Sequence, residues 1–221
     1  MKVRKEGQRL KTLIAVPCLD MVHTSFVRSF IGMAKTEDCH YTFVQNSLIY
    51  NARNIIAQNA IAEGFERVLW LDSDITFEPD TLLKLSADMD QGIDYVSGLY
   101  FMRATPTKPV IYSDVWWKVG EGGWVDTGKK NFYEYPKESL FPIAGSGFGC
   151  VMTSVELLKK VVGQYGSPFT PMMGIGEDLA FCWRVGQMGL KMYCDSRIKC
   201  GHIGQTEYTE KTFAEGMKEW K

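Results

Sequence analysis

"VLWLDSDITFEPD", residues 68–80, begins as an uninterrupted apolar run and ends with Asp72 and Asp74 one residue apart. An apolar run of this length reads as a strand buried on both faces, the kind found in parallel sheets covered by helices. Upstream, "YNARNIIAQNAIAEGF" (50–65) reads as a helix with Ala52, Ile55, Ile56, Ala60 and Ile61 on one face and Gly64 past its end. Before it stand two β-rich runs, "TLIAVPCL" (12–19), closed by Pro17, and "HYTFVQN" (40–46). Between those runs "TSFVRSFIGMAK" (24–35) has helical spacing at Phe26, Phe30, Ile31 and Met33. Downstream, Pro79 opens a helix whose apolar face takes Leu82, Leu83 and Leu85, and "IDYVSGLYF" (93–101) is a further strand. Strands alternating with helices at this spacing predict an α/β fold, a mixed and mostly parallel central sheet flanked by helices. Ligands bind such sheets at the carboxyl ends of the strands, where Asp72 and Asp74 fall.

From Thr105 to Pro142 prolines, glycines and aromatics dominate, including Trp116, Trp117, Trp124, Phe132, Tyr133 and Tyr135. This predicts a small aromatic-rich insert of short antiparallel strands and loops. Regular structure returns in "PIAGSGFGCVMTSVELLKKVV" (142–162), with a strand at Cys150–Met152 and a helix from about Ser154. "GIGEDLAFCWRVGQMGLKMYCDSRIKCGHIG" (174–204) then gives a helix, a turn at Gly189 and a strand pair that delivers His202. At 221 residues the chain is expected to form one domain, 1–221, with a 12–104 half, a 105–204 half and a C-terminal helix in 205–221.

A formal net charge of −1 provides no global field for nucleic acid or for a basic partner. The opening Lys2, Arg4, Lys5, Arg9 and Lys11, set against Glu6, read as a solubilising terminus. With no stretch approaching a membrane span and no signal-like apolar core, the chain is expected to be soluble and cytoplasmic, without a membrane anchor. Six cysteines scattered singly, with no CxxC pair, read as buried thiols in a reducing compartment.

Two carboxylates at i and i+2 on a strand end can converge on a hard cation, and Mg²⁺ or Mn²⁺ takes such carboxylates together with phosphate oxygens. The same pair can also simply cap the turn. Glu177 and Asp178 open a helix, where the macrodipole favours acids with or without a chemical role; with a role, one of them takes a proton from an attacking hydroxyl. His202, flanked by Gly201 and Gly204, would complete an N/O metal site with the aspartates, or is a packed histidine. The tryptophans either offer flat faces to a sugar or base, or form the core of the insert. Arg184, on the Glu177 helix, would hold Asp178 or Glu177 indirectly or form a surface ion pair.

In order and spacing, "NARNIIAQNAIAEGFERVLWLDSDITFEPDTL", "GSGFGCVMTSVELL" and the 174–204 segment resemble nucleotide-sugar glycosyltransferases of the GT-A fold, closest to the family 2 type and to its small soluble bacterial or phage members. The resemblance covers most of residues 12–204. It implies Asp74 and His202, joined by Asp72, as metal ligands, with Asp72 also toward the ribose or the metal's water shell, and a Mn²⁺ or Mg²⁺ cofactor. It implies Asp178, paired with Glu177, as the base of an inverting transfer to an acceptor hydroxyl. Arg53 and Asn54 match an "ARN" that packs near the donor nucleotide, and Pro17 borders the base pocket. The resemblance favours a UDP-sugar as donor, but where such enzymes often carry a uracil-reading aspartate this chain has Gln45 and Asn46, so the base stays open. Trp116, Trp117 and Trp124 lie where acceptor sites vary, and the acceptor is left as a glycan, protein, metabolite or modified DNA base; near-zero charge argues against duplex DNA.

Two other classes compete. Nucleotidyl transfer also uses a metal and a diphosphate, but needs a glycine-rich basic loop after the first strand, and "VPCLDMVHTSF" has none. A non-catalytic nucleotide- or sugar-binding module would not need Asp74, Glu177, Asp178 and His202 together.

Overall fold

The computed structural model describes residues 10–35, 38–204 and 207–217, so the basic run 2–9 lies outside the described residues. In chain order the elements are β1 (Thr12–Pro17), α1 (Thr24–Gly32), β2 (Cys39–Val44), α2 (Ile49–Ala62), β3 (Arg67–Leu71), β4 (Ile75–Thr76), α3 (Thr81–Met89) and β5 (Tyr95–Leu99). There follow β6 (Ile111–Val119), β7 (Val125–Asn131), β8 (Leu140–Ile143), β9 (Gly145–Ser146), β10 (Cys150–Ser154), α4 (Val155–Tyr165), α5 (Glu177–Gln187), β11 (Met192–Lys199), β12 (Gly201–Ile203), β13 (Glu207–Tyr208) and α6 (Glu210–Met217).

A 7-stranded sheet in the order β2-β1-β3-β10-β5-β11-β8 organises the molecule as a mixed α/β, Rossmann-like domain. β2, β1, β3, β5 and β11 share one direction, and β10 and β8 run against it. β1, β3 and β5 are buried along their whole length, as apolar strands covered on both faces must be. The buried Trp70 of β3 satisfies its indole N–H by donating to Thr153 Oγ1 at 3.0 Å across the sheet. Two three-stranded sheets flank the main one, β13-β12-β4 and β7-β6-β9. Among the described residues no helix is long and apolar enough to cross a membrane, and no disulfide joins the cysteines, of which all but Cys39 are buried.

Some expected helix faces are rotated. α2 buries Ala52, Arg53, Ile56, Ala57 and Ala60, so Ile55 points outward and an arginine takes a place on the core face. α3 buries Thr81, Leu82, Leu85, Asp88 and Met89 and leaves Leu83 exposed, and Ile31 of α1 is exposed as well. In each case the helical pitch carries the stray apolar residue off the stripe that the sheet covers. The 105–142 stretch is also less separate than expected. β8 is an edge strand of the main sheet, Tyr135 is buried and stacked on Phe141, and Phe132 meets Phe141 edge-on.

Candidate functional site

β3 ends at Leu71, and the chain turns through Asp72-Ser73-Asp74 into β4. The turn is held from several sides: Asp72 N–H donates to Gly149 O (3.0 Å), Ile75 N–H to Asp72 O (3.2 Å) and His23 N–H to Ser73 O (3.1 Å). β4 then pairs with β12, setting His202 opposite Ile75, and Ile203 N–H donates to Asp74 O at 2.8 Å. Gly201 leaves room here for the Glu207 and Thr76 side-chain oxygens, which a Cβ would displace. The short sheet thus brings a histidine from the far end of the sequence to the second aspartate, with His202 Nε2 3.6 Å from Asp74 Oδ2.

Arg53 forms the floor. Its Nη2 donates to Asp72 Oδ1 at 2.7 Å, its Nη1 donates to Glu177 Oε1, and its guanidinium lies over the Phe148 ring, 5.3 Å from the centroid. Burial pulls its pKa down, but Asp72, Glu177 and Asp178 together hold it above the ordinary arginine value. Burial raises Asp72, and Asp74 adds to the rise while Arg53 opposes it. Burial likewise raises Glu177, with Asp178 adding and Arg53 opposing. Asp74 goes the other way: burial would lift it, but the hydrogen bond and charge of His202 and the charge of Arg103 lower it.

Glu177 and Asp178 form the first turn of α5. Asp178 Oδ1 accepts from the Leu179 N–H at 2.7 Å, which orients the carboxylate at the helix entrance. Its charge adds to the burial that raises the Tyr100 and Tyr112 hydroxyls, and at Tyr100 the charge of Asp72 acts in the same sense.

Residues 100–103, "YFMR", entered the sequence reading only as the end of a strand, Tyr100 and Phe101, yet supply three parts of the site, and β5 in fact stops at Leu99. Tyr100 packs its ring edge-on against His202 (5.5 Å) and accepts from the Gly149 N–H at 3.2 Å. Phe101 O lies 2.9 Å from His202 Nδ1, so the imidazole donates there and Nε2 is the ring nitrogen on the Asp74 side. Arg103 Nη1 lies 2.8 Å from Asp74 Oδ2. The legible signal was positional: this segment leaves β5 at the same sheet edge as Asp72. The "GSGFG" glycines gain a reason too, since a Cβ on Gly147 or Gly149 would strike the Tyr100 phenol.

Other expected residues are placed elsewhere. Asn54 Oδ1 accepts from Phe169 N–H at 2.9 Å and pins the chain before α5. Arg184 is buried and donates to Pro168 O (2.8 Å) and Thr170 O (2.7 Å), so it ties that same loop and holds neither Glu177 nor Asp178. Pro17 is buried at the end of β1, beside Val44 of β2. Gln45 and Asn46 follow β2 at that edge and are exposed, with Asn46 in the left-handed region (φ 55°) and its N–H donating to Leu19 O. Trp117 is a structural tie, its Nε1 donating to Met173 O at 3.1 Å and its ring meeting Trp183 of α5. Trp116 lies across Gly128 and donates to Asp126, while Trp124 is 63% exposed.

Among the described residues no group of three or more His, Cys, Asp or Glu side chains is disposed to hold a metal by itself. Two donors do converge, Asp74 Oδ2 and His202 Nε2, and the Phe101 carbonyl engages Nδ1, which leaves Nε2 as the ring nitrogen a metal would take. Such a pair fits a divalent cation whose remaining positions are filled by water and ligand oxygens. A hollow of about 600 Å³, lined by His23, Ser25, Arg28, Thr76, Phe77 and Glu207 among others, adjoins the small sheet and does not include Asp72, Asp74, Glu177 or Asp178.

No protein-family model matches the chain, and no curated protein matches it. Among solved structures it is similar to that of A197 from STIV, with a TM-score of 0.63 and 19% sequence identity over 88% of this chain and 86% of that one. At that identity the likeness concerns the fold.

Proposed function

We propose that the chain is a metal-dependent glycosyltransferase that moves a sugar from a nucleoside-diphosphate sugar to an acceptor hydroxyl with inversion. The observation that carries this reading is the convergence of Asp72, Asp74, Glu177 and His202 around Arg53 and Arg103 at the carboxyl edge of the sheet. A core helix that spends a buried arginine on two acids at a ligand-binding edge is holding those acids in a fixed place, at a cost in desolvation that packing alone would not require.

Asp74 and His202 would hold the Mn²⁺ or Mg²⁺. The cation, when bound, neutralises the diphosphate so that it can leave. Arg53 fixes Glu177, and the adjoining Asp178 accepts the proton of the acceptor hydroxyl as that oxygen attacks the anomeric carbon from the face opposite the diphosphate. A base so placed contributes roughly 10²- to 10⁴-fold in rate. The edge bearing Pro17, Gln45 and Asn46 takes the base of the donor, and the β6–β7 hairpin flanks the acceptor, since Trp117 binds it to the loop that leads into Glu177.

The test is incubation with a panel of nucleoside-diphosphate sugars, an acceptor array and Mn²⁺, followed by detection of released nucleotide. Release that needs Mn²⁺ and is lost in Asp74→Asn is expected. Consumption of a nucleoside triphosphate with release of pyrophosphate would mark a nucleotidyltransferase instead. Saturable donor binding without turnover across the array would mark a binding module.

A further inference from the structure

Asp74 Oδ2 has two partners at once. Arg103 Nη1 approaches it to 2.8 Å and His202 Nε2 to 3.6 Å. If Asp74 and His202 are to share a cation, this is the oxygen that faces it, and a guanidinium on the same oxygen is a rival positive charge within a few ångströms. Both cannot stay.

The surroundings identify which partner moves. His202 is held by its ring hydrogen bond to Phe101 O and by the Tyr100 ring. Arg103 is half exposed, and its second partner is the Ile203 carbonyl, a neutral acceptor at 3.3 Å. The loop that carries it is tied down: Met102 N–H donates to Lys108 O (2.8 Å) and Thr107 Oγ1 to Met102 O (2.6 Å). Motion is therefore confined to the side chain.

We propose that Arg103 is an exchangeable counter-ion. It neutralises Asp74 when no cation is bound, and on arrival of a divalent cation with its diphosphate it swings off Asp74 and places its guanidinium on the diphosphate oxygens. The inference rests on the glycosyltransferase reading and adds a donor-binding residue to it. The chemistry favours arginine at this point, because its planar fork fits a carboxylate and a phosphate equally well and keeps its charge in both positions. The exchange also keeps an unbalanced anionic carboxylate from forming beside Asp72 while the site is empty.

The prediction has opposite signs for two ligands, which an arginine needed only for folding would not produce. In Arg103→Gln, Mn²⁺ added alone should bind more tightly, because Asp74 is no longer occupied, by about 2- to 5-fold for a half-exposed ion pair. Binding of uridine diphosphate and guanosine diphosphate at saturating Mn²⁺ should weaken by about tenfold, the scale of a lost charge-assisted contact. Arg103→Lys should restore part of both effects. Electron paramagnetic resonance of free Mn²⁺ and calorimetry of the diphosphates read the two constants without turnover, and a thermal melt of each variant checks folding.

If the parent binds Mn²⁺ and a diphosphate but the variant shifts both constants the same way, or leaves either unchanged, the exchange is wrong and the glycosyltransferase reading survives. If the parent binds neither Mn²⁺ nor a diphosphate, the reading of the site falls and this inference falls with it.

Discussion

Two pairs of acids in this molecule share an arginine, and the pairs are built inside out with respect to one another. At the sheet edge the arginine is hidden and the acids are open: Arg53 is 3% exposed, Asp72 30% and Glu177 17%. Between α3 and β11 the acids are hidden and the arginine is open: Asp88 is 3% exposed, Asp195 1% and Arg197 46%. In the second cluster Arg197 donates to both carboxylates, and Asp195 also accepts the Arg197 N–H where the β5–β11 register shifts. That arrangement closes a bulge and leaves the carboxylates no access to a ligand. In the first cluster the counter-ion is the buried member, and Arg53 bonds one oxygen of each acid while both acids keep some exposure. The difference separates a structural acid pair from one available for chemistry, although both carry a burial-raised carboxyl.

The largest effect should follow from removing the hidden arginine. Arg53→Met keeps the side-chain volume but leaves Asp72 and Glu177 without their shared cation, and stranding one side of a buried pair costs about 3–5 kcal/mol. The loss should depend on pH. Without Arg53 the folded-state pKa of both acids rises further, so between the unfolded and folded values the native state binds more protons and stability falls as pH rises. Urea unfolding of Arg53→Met should therefore show a smaller deficit against the parent at pH 5 than at pH 8. An equal deficit at both would mean that Arg53 matters for packing on Phe148 and not for charge.

Asp178→Asn is the next largest. The amide oxygen can still accept from Leu179 N–H, so stability and donor affinity should hold. Transfer should drop by about 10²- to 10⁴-fold, and the parent's product should carry the inverted anomer by NMR. A retained anomer would remove the need for a base there and leave Asp178 a positioning residue.

Much of this contrast was legible beforehand. The alternation of strands and helices follows from apolar runs and helical spacing, and Asp72 and Asp74 reach the carboxyl edge because β3 ends there, whereas Glu177 arrives on the first turn of α5 and His202 on β12 of the small sheet. Their partners were not legible. Arg53 sits on the buried face of α2 at a position where periodicity alone expects an apolar residue, and its reason is two carboxylates, 19 and 124 positions away. Arg184 failed in the opposite sense, since helix spacing suggests an acid partner while the loop carbonyls of Pro168 and Thr170 claim it. Long-range polar pairing leaves no period in the sequence. The antiparallel β10 in the middle of the sheet, between β3 and β5, was hidden for the same reason, because an apolar run does not state its direction.

The structural cluster gives a smaller, pH-resolved effect. Burial and the neighbouring Asp195 push the Asp88 carboxyl up to about 6. Burial would also raise Asp195, but the Arg197 hydrogen bonds leave it lowered. Because the Asp88 value is raised, its contribution is fully present below the ordinary aspartate range and is lost as pH rises through about 6. Asp88→Asn should flatten that part of the stability curve, with a shift of a few degrees in Tm at most, about 2–4 °C per kcal/mol for a chain this size. Transfer activity should be unchanged. A loss of activity in a folded Asp88→Asn protein would break the division between the two clusters.

The smallest effect on stability, and the one that carries the same reasoning from charge to apolar surface, concerns the hairpin. Trp117 and Trp124 are seven residues apart in sequence, yet one is bonded inward to Met173 O and the other is 63% exposed. If exposure at a ligand-bearing edge marks availability, Trp124→Ala should cost well under 1 kcal/mol in unfolding, as surface substitutions do. It should raise the acceptor KM several-fold, within the roughly 1–3 kcal/mol that one aromatic stacking contact provides. Slow hydrolysis of the donor, which needs no acceptor, should continue at the parental rate. Trp117→Ala should instead loosen the loop that feeds Glu177 and depress transfer and hydrolysis together. Should Trp124→Ala impair both activities equally while the protein stays folded, the hairpin supports the catalytic acids and does not present a surface to the acceptor.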